Sequence, residues 1–261
     1  MDDVLYVRVV IPPEVVTLPN IQIWIHDLVL FSPTKMRTKL TDRKFNANQL
    51  HKELEKLFSE ECVNFQLELR DDTSSFTLTK GINQLPSILC LFSKSVYENI
   101  SVPEIASKFT DFFQTYEGIV GHAVSREDQK WQNETDIQEY KDANKPLDHV
   151  TYKPHSFDPD KIMIDTESFP GHHHFVKRGL WFGAAWRMWF GNEYFSYIPK
   201  DKILAFSDGY QTQELHNGSI SITLHEDVWD YETAVHRERQ WEFRRRVGMD
   251  EVAHPMRNRS R

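Results

Sequence analysis

The sequence predicts an α+β fold, with mixed or antiparallel sheets and a few packed helices. Three patterns support this fold class: β-branched residues at 4–11, two alternating apolar runs around a polar turn at 63–81, and apolar residues at helical spacing at 46–62 and 101–116. The first 117 residues give the order β-β-α-β-β-β-α. Because strands and helices do not alternate regularly, an α+β unit is expected rather than a parallel α/β one.

The N-terminal elements follow from short-range patterns. The segment VLYVRVVI at 4–11 predicts a strand, and IQIWIHDLVLF at 21–31 predicts a second strand because its first three isoleucines alternate. The leucines at positions 50, 54 and 57, together with Phe58, recur every three or four residues. They predict an amphipathic helix of about four turns.

A hairpin, a buried strand and a capped helix follow. Apolar residues alternate along VNFQLELRDD, a polar turn occupies 71–74, and SFTLTKG returns as the second strand of a hairpin. The continuous apolar run at 87–93 predicts a fully buried strand. Ser101, Pro103 and Glu104 predict a helix start in which the serine and the glutamate form a capping box.

The C-terminal part is rich in aromatic residues. YFSYIPKDKILAFSDG predicts a strand, a proline turn and another strand, and ELHNGSISITL predicts a strand after the turn at Asn217 and Gly218. Asp230 precedes a predicted helix that ends at Gly248. Its expected apolar side is formed by Ala234, Trp241, Phe243 and Val247. The tail HPMRNRSR is expected to fray.

The chain divides into three predicted parts. Residues 1–117 form an α+β unit, residues 118–160 a polar, acid-rich connection with a short helix near 133–142, and residues 161–261 an aromatic-rich α+β unit. A connection of about forty residues without strong periodicity is unusual inside one domain, so this region is either functional or a linker. One continuous domain is the alternative.

Charge is distributed unevenly along the chain. The formal net charge is -8, of which -7 falls in residues 1–150 and -1 in residues 151–261. An acidic surface repels phosphate backbones, so direct nucleic-acid binding is disfavoured and a basic protein partner is favoured. The acidity is explained equally well by solubility alone, without a basic partner.

Composition and the N-terminus predict a cytoplasmic protein. No apolar run approaches the roughly 20 residues of a membrane helix, so no membrane contact is expected. MDDVLYVRVVIPP carries acids where a signal peptide would be basic. Cys62 and Cys90 lie among apolar residues and are expected to be buried free thiols. Two cysteines are too few for a four-cysteine zinc site.

Three consecutive histidines follow Pro170 and Gly171. In an extended segment His172 and His174 would share a face and could reach one metal ion, while His173 points away. A third ligand would have to be an acid or one of His155, His216 and His225. Adjacent histidines after Pro-Gly are more typical of a polar loop. We therefore predict no metal site and keep the pair His172 and His174 as the alternative.

Two further motifs favour structural roles. WFGAAWRMWFG at 181–191 predicts aromatic core packing, with an aromatic ligand cleft as the alternative. His225, Glu226 and Asp227 follow a predicted strand and indicate a polar turn rather than acid/base chemistry. The sequence contains no nucleophile elbow, phosphate loop, dinucleotide fingerprint or His-Glu-x-x-His motif. We therefore expect that the protein is not an enzyme and that it binds no cofactor.

One family resemblance covers about a fifth of the chain. The region from about 197 to 250 contains YIPKDKILAF, ELHNGSISITLHEDVWD and most of RERQWEFRRRVGMDEV. It resembles the C-terminal part of immunity proteins from bacterial polymorphic toxin systems, especially the immunity protein 52 family. The resemblance implies a cytosolic protein that acts by binding, without catalytic residues, and often carries acids that meet a basic nuclease toxin.

Three functional hypotheses follow. The first is a non-enzymatic cytosolic immunity protein that binds and neutralises a cognate toxin, expected to be a basic nuclease. The second is a subunit or inhibitor in a phage-defence or anti-defence system, and the third is a metal-dependent enzyme that uses His172 and His174. The partner-binding residues predicted for the first are Glu127, Asp128, Glu134, Asp136, Glu139 and Asp142. The oligomeric state is left open.

Overall fold

The computed structural model describes residues 3–38, 42–59, 64–155 and 158–258, and it confirms the α+β class. Its strands are β1 (Val4–Val10), β2 (Lys35–Thr38), β3 (Asp42–Lys44), β4 (Phe65–Arg70), β5 (Ser75–Gly81), β6 (Gln84–Ser93), β7 (Val120–Ser125), β8 (Tyr152–His155), β9 (Asp158–Ile164), β10 (His173–Phe175), β11 (Trp181–Gly183), β12 (Arg187–Phe190), β13 (Gln211–Glu214) and β14 (Ile220–Thr223). Its α-helices are α1 (Leu18–Leu28), α2 (Ala47–Ser59), α3 (Lys94–Tyr97), α4 (Val102–Thr115), α5 (Arg126–Trp131), α6 (Ile137–Asp142), α7 (Lys200–Leu204), α8 (Ala234–Val247) and α9 (Met249–Asn258).

Ten of the described strands form one sheet, in the order β13-β14-β12-β7-β1-β6-β5-β4-β2-β3. β7 is antiparallel to β1 on one side and to β12 on the other. The pairs β8–β9 and β10–β11 form separate two-stranded sheets. β7 lies in the predicted connection 118–160. It pairs with β1 of the N-terminal unit and with β12 of the C-terminal unit, so strands of both predicted units belong to one sheet. The division of the chain into three parts stays a prediction.

The centre of the large sheet is covered on both faces. In β1, Leu5, Val7 and Val9 pack into a cluster with α1, α2 and α4. Tyr6 and Val10 join a second cluster with β11, β12 and α8. Alternate residues of a strand point to opposite faces of its sheet, so one strand contributes to two cores. The neighbouring strand β7 is buried along its whole length for the same reason.

Several local predictions are confirmed by their hydrogen bonds. The hydroxyl oxygen of Ser101 accepts from the backbone N–H of Glu104, and the Glu104 carboxylate accepts from the backbone N–H of Ser101 at 2.8 Å. These are the two bonds of the predicted capping box. α8 ends at Gly248 in the left-handed conformation, with φ 77°. The turn before β14 likewise has Gly218 at φ 82°.

The strand predicted at 21–31 is wrong, because most of this segment belongs to α1. Thr17 occupies the N-cap position and Pro19 fits the first turn. Ile21, Trp24 and Leu28 are buried at helical spacing. The alternation of the first three isoleucines is too short to distinguish a strand from a helix, and burial of Trp24 selects the helix.

The strand-turn-strand predicted for 194–209 is also wrong. Tyr194–Ser196 forms a 3₁₀ turn, and the lysines after Pro199 begin α7. The backbone N–H of Ala205 donates to the carbonyl oxygen of Asp201 at 2.9 Å. Short-range helical bonds therefore satisfy this backbone without a neighbouring strand.

The C-terminal helices differ from prediction in two ways. The buried side of α8 consists of Gln240, Phe243, Arg244 and Val247, whereas Ala234 and Trp241 are exposed. The tail expected to fray continues α9 as far as Asn258. Ala253 is buried, and Arg257 donates to the Glu167 carboxylate at 2.9 Å, so tertiary contacts stabilise this last helix.

One of the two cysteines lies in the described part of the chain. Cys90 is a buried free thiol, as predicted. Cys62 lies outside the described ranges. Among the described helices, none is both long and apolar enough to cross a membrane.

Gly191 lies where two backbone segments approach closely. Its N–H donates to the carbonyl oxygen of Ile119 at 2.9 Å, and a Cβ atom at this position would lie 1.8 Å from the carbonyl oxygen of Gly118. We expect Gly191→Ala to lower the free energy of unfolding by about 3 kcal/mol, because the two segments must separate. Urea unfolding followed by tryptophan fluorescence measures this loss.

The control for this prediction is Gly81→Ala. A Cβ atom at Gly81 would meet the exposed side chain of Gln84, at a nearest distance of 3.3 Å. We expect a change of less than about 1 kcal/mol, since the nearest atom is the Cβ of Gln84 and a shift of a few tenths of an ångström at this exposed turn relieves the contact. Equal losses in the two variants would contradict the close approach at Gly191.

Candidate functional site

The predicted partner-binding acids lie on α5, on α6 and on the loop between them. Asp136 is the N-cap of α6, and its carboxylate accepts from the backbone N–H of Gln138 at 2.7 Å. Glu139 and Asp142 follow on the exposed side of α6. The carboxylate of Glu134 accepts from the backbone N–H of Asp136 at 3.0 Å. Three carboxylates are thus exposed on one short helix and its cap.

The two acids of α5 are in different surroundings. Asp128 is only 2% exposed, and its carboxylate lies 2.7 Å from the guanidinium of Arg237. Burial raises the pKa of Asp128 above its ordinary value, and the charge of Arg237 opposes this rise. Glu127 is half-buried and forms an ion pair with Lys145 at 2.8 Å. The exposed acids are therefore those of α6, and Asp128 holds α5 against α8.

A cavity of about 370 Å³ lies beside these acids. Its aromatic lining residues are Trp131, Tyr140, His149, Phe169 and Tyr231, and its charged ones are Asp128, Lys145, Glu232 and Arg237. The rings of Trp131 and Tyr140 meet edge to face, with 5.0 Å between centroids. The Tyr140 hydroxyl donates to the carbonyl oxygen of Trp131, which fixes α6 against α5.

This cavity can hold a side chain of a bound partner. Its volume lies near the lower end of the range for ligand pockets, about 300 Å³, and its aromatic walls suit an apolar anchor. The indole N–H of Trp131 is buried and interacts with the Glu127 carboxylate. The sequence analysis predicted the acids of this region but not the cavity, whose aromatic residues Phe169 and Tyr231 come from later parts of the chain.

The histidine run is buried, so the predicted polar loop is wrong. His173 and His174 begin β10, which pairs with β11. The rings of His172 and His174 lie on one side, with centroids 4.5 Å apart, and the ring of His173 packs against His122 at 5.0 Å. The predicted alternation of side chains is therefore correct. The prediction failed because β11 and α9 cover this segment.

Burial keeps these imidazoles neutral. It lowers the pKa of His172 to about 2 and that of His173 to about 3, and neighbouring cations and histidines reinforce the shift for His172. Burial also lowers the pKa of His122 well below its ordinary value. Charged imidazoles would lose their hydration in this position.

His174 belongs to a buried polar network. Its Nε2 lies 2.8 Å from the Oδ1 of Asp250, and the guanidinium of Arg244 donates to both oxygens of that carboxylate at 2.8 and 2.9 Å. Burial alone would raise the pKa of Asp250, but the bonds from His174 and Arg244 lower it to about 2. Arg244 also donates to the carbonyl oxygens of Glu167 and Phe169, so it joins α8 to the segment before β10.

No third metal ligand accompanies the pair His172 and His174 in the described part of the chain. No group of three histidine, cysteine, aspartate or glutamate side chains there is arranged to hold a metal ion. Of the three histidines considered as third ligands, His225 stacks on His236 with centroids 4.3 Å apart. Its Nδ1 lies 2.7 Å from the carbonyl oxygen of Asp227, an arrangement typical of a structural turn. His155 ends β8, and His216 is exposed in the turn before β14.

The aromatic segment 181–191 packs into the core, as its sequence predicts. Trp181 belongs to one core cluster, and Trp186 and Trp189 to the other. The indole N–H of Trp186 donates to the carbonyl oxygen of His225 at 2.8 Å, and that of Trp189 donates to the hydroxyl of Thr110 at 2.9 Å. These side chains join β12 to its neighbours.

A distant structural neighbour has a similar fold. No protein-family model matches the sequence, and no curated protein matches it. Among solved structures, the T6SS protein PA0821 of Pseudomonas aeruginosa superposes with a TM-score of 0.55 at 10% identity, covering 94% of this chain and 72% of that chain. At this identity the similarity concerns the fold. This chain thus shares its fold with a protein of a type VI secretion system.

Proposed function

We propose that this protein is a non-enzymatic cytoplasmic inhibitor that binds and neutralises a cognate protein toxin, a basic nuclease. The observation that carries the proposal is the set of exposed carboxylates on α6, at Asp136, Glu139 and Asp142, beside the aromatic cavity. We refer to these three residues and the cavity as the acidic face. The resemblance of residues 197–250 to immunity proteins and the fold shared with a T6SS protein support the same function.

The acidic face has the two parts that a tight interface needs. Exposed carboxylates attract a basic partner over distances of about 10 Å and raise the rate of association. An aromatic cavity beside them offers a place where one side chain of the partner loses its water, and such contacts supply most of the binding energy. Charge would then govern encounter, and the cavity would govern how long the complex lasts.

The buried titratable groups also favour a binding protein over an enzyme, because their surroundings hold them in one protonation state. Asp128 is held by Arg237, and Asp250 by Arg244 and His174. His172 and His173 are buried and neutral. The two aspartates join segments of the fold to one another, which is a structural task.

A pull-down from the native host tests the proposal directly. The protein would be purified from its own cells without a histidine tag, and co-purifying proteins identified by mass spectrometry. We expect one stoichiometric basic partner that is toxic when expressed alone and harmless when expressed with this protein. A stoichiometric partner without toxicity would instead favour a role in phage defence or assembly, and it would contradict neutralisation.

Charge reversal on α6 is expected to slow association with that partner. In the variant Glu139→Lys, Asp142→Lys we expect the association rate at low ionic strength to fall at least about tenfold, because two attractive charges become repulsive. The dependence of the rate on salt should weaken as well. Stopped-flow fluorescence at several salt concentrations measures both effects.

The matched control carries the same reversal elsewhere. Glu14 and Asp42 are exposed acids outside the acidic face. The variant Glu14→Lys, Asp42→Lys has the same net charge, so we expect it to change the rate by less than about threefold. Equal slowing in both variants would show that net charge alone matters and would contradict a binding role of α6.

A further inference from the structure

A second cavity, of about 820 Å³, differs from the first in charge. Its cationic lining residues are Arg8, Lys177, Arg178 and Arg257, and its other lining residues are Ile82, Asn83, Gln84, Phe175, Val176 and Gly179. No acid among the described residues lines it. Four positive side chains thus converge on one cavity of a chain whose net charge is -8. We call it the basic cavity.

Arg8 is incompletely paired. Its Nη2 donates to the carbonyl oxygen of Gly179 at 3.2 Å, while Nη1 is buried without a hydrogen-bond acceptor among the described atoms. Its guanidinium lies 4.9 Å from the ring centroid of Phe175. Burial lowers the pKa of Arg8 from its ordinary value. A buried guanidinium without a carboxylate is unfavourable, and a bound oxyanion would offset that cost.

The other three cations that line the cavity differ in their ion pairs. Lys177 is exposed and has no ion pair among the described residues. Arg178 and Arg257 pair with Glu193 at 3.4 Å and with Glu167 at 2.9 Å. Neither glutamate lines the cavity.

The backbone beside the cavity is also unusual. Arg178 has φ 66° and Gly179 has φ 80°, both in the left-handed region. For a long side chain such as arginine this conformation costs of order 1 kcal/mol and is common where a ligand is held. The turn places Arg178 and the backbone of Gly179 at the same cavity as Arg8.

We propose that the basic cavity binds a nucleotide through its phosphate groups. Arginine guanidinium groups match phosphate oxygens, and a di- or triphosphate carries enough charge for several of the four cations. Phe175, which is 43% exposed, gives a ring on which a base can stack. Asn83 and Gln84 supply amide groups for the edge of the base. The volume is within the range of ligand pockets, about 300–1,000 Å³.

A small ligand fits better than a long polyanion. The rest of the chain is acidic and would repel a nucleic-acid strand that extends beyond the cavity. A nucleotide would contact only the four cations and their neighbours. The proposal does not depend on toxin binding, because none of the lining residues belongs to the acidic face.

Isothermal titration calorimetry on the full chain tests the proposal with ADP as the probe. We expect ADP to bind with a Kd below about 1 mM, pyrophosphate to bind more weakly because it lacks the base, and adenosine to give no heat because it lacks phosphates. Binding of ADP should weaken as salt rises. No binding of ADP at about 1 mM would overturn the proposal. Tighter binding of a tetraglutamate peptide than of ADP would also overturn it, since the cavity would then take an acidic peptide.

Matched variants locate the bound ADP. In the variant Lys177→Gln, Arg257→Gln we expect the affinity for ADP to fall at least about tenfold, because two charge-assisted contacts are lost. The control Lys52→Gln, Arg245→Gln removes two exposed cations outside the cavity and should leave the affinity within about twofold. Thermal unfolding checks that both variants are folded. Equal affinities in the two variants would place ADP elsewhere and contradict the proposal.

Discussion

Acidification from about pH 7 to about pH 5 is expected to destabilise this protein by on the order of 6–8 kcal/mol. The cause is a set of four buried histidines, His122, His172, His173 and His225. Burial lowers their pKa values, to about 2 for His172, about 3 for His173 and about 4 for His225. The pKa of His122 is also lowered well below its ordinary value.

The free energy of unfolding decreases with falling pH because the unfolded chain binds more protons than the folded one. In the unfolded chain each histidine binds a proton below about pH 6.5, whereas in the folded chain these four stay neutral until the pH reaches their lowered values. Falling pH therefore favours the unfolded state throughout this window, by about 2 kcal/mol at pH 5 for each of His172, His173 and His225. The lowered pKa of His122 acts in the same direction. Asp250, with a pKa of about 2, stays charged in the same window and does not compensate. Asp128, whose pKa is raised by burial, opposes part of the effect at the acidic end of the window. Since typical domains are stable by about 5–15 kcal/mol, unfolding near pH 5 is expected.

The measurement is the free energy of urea unfolding between about pH 7 and pH 5, followed by tryptophan fluorescence. Its slope near pH 5.5 should correspond to an uptake of about three to four protons. In the variant His172→Gln the slope should fall by one proton. The control is His26→Gln, because the His26 side chain is 88% exposed, and its slope should match that of the parent. A free energy that stays constant over this range would contradict the prediction.

Replacing Arg244 by methionine is expected to lower the free energy of unfolding by about 3–5 kcal/mol. Arg244 is only 1% exposed, and it donates to both carboxylate oxygens of Asp250. It also donates to carbonyl oxygens of the segment 167–170. Methionine fills similar space but leaves the Asp250 carboxylate without its cation and several buried carbonyl oxygens without a donor.

A neighbouring residue on α8 provides the matched control. Arg245 is 71% exposed, and its guanidinium contacts the carboxylate of Glu242. An exposed ion pair contributes little, so Arg245→Met should change the free energy of unfolding by less than about 1 kcal/mol. Circular dichroism during urea unfolding measures both variants. If the two losses were equal, Arg244 would have no special part in joining α8 to α9 and to the segment before β10.

The local elements were predictable where a short pattern carried enough information. The capping box at Ser101, the turn at Gly218 and the end of α8 at Gly248 depend on hydrogen bonds and dihedral angles within a few residues. The segment 21–31 was not predictable, because three alternating isoleucines fit two structures. Its helix is selected by Trp24, which packs edge to face on Phe112 and Tyr116 of the α4 region.

The candidate site was predictable only in part. The sequence placed its acids at 127–142 from composition, but it did not predict the aromatic cavity beside them. It could not show that Asp128 turns inward, because the cation that holds it, Arg237, belongs to a helix of the C-terminal part. The basic cavity was missed altogether. Its four cations come from β1, from the turn after β10 and from α9, and no sequence window contains them together.

The sequence by itself determined the fold class, the acidity of the first 150 residues, the strands β1, β4, β5, β6 and β14, and the helices α2, α4 and α8. Periodicity, capping and charge are properties of neighbouring residues, and so they can be read along the chain. Tertiary structure alone decided which polar residues are buried: the histidines at 172–174, Asp128 and Arg244. Burial depends on how segments far apart in the chain cover one another, and it sets both the protonation of these groups and the cavities beside them.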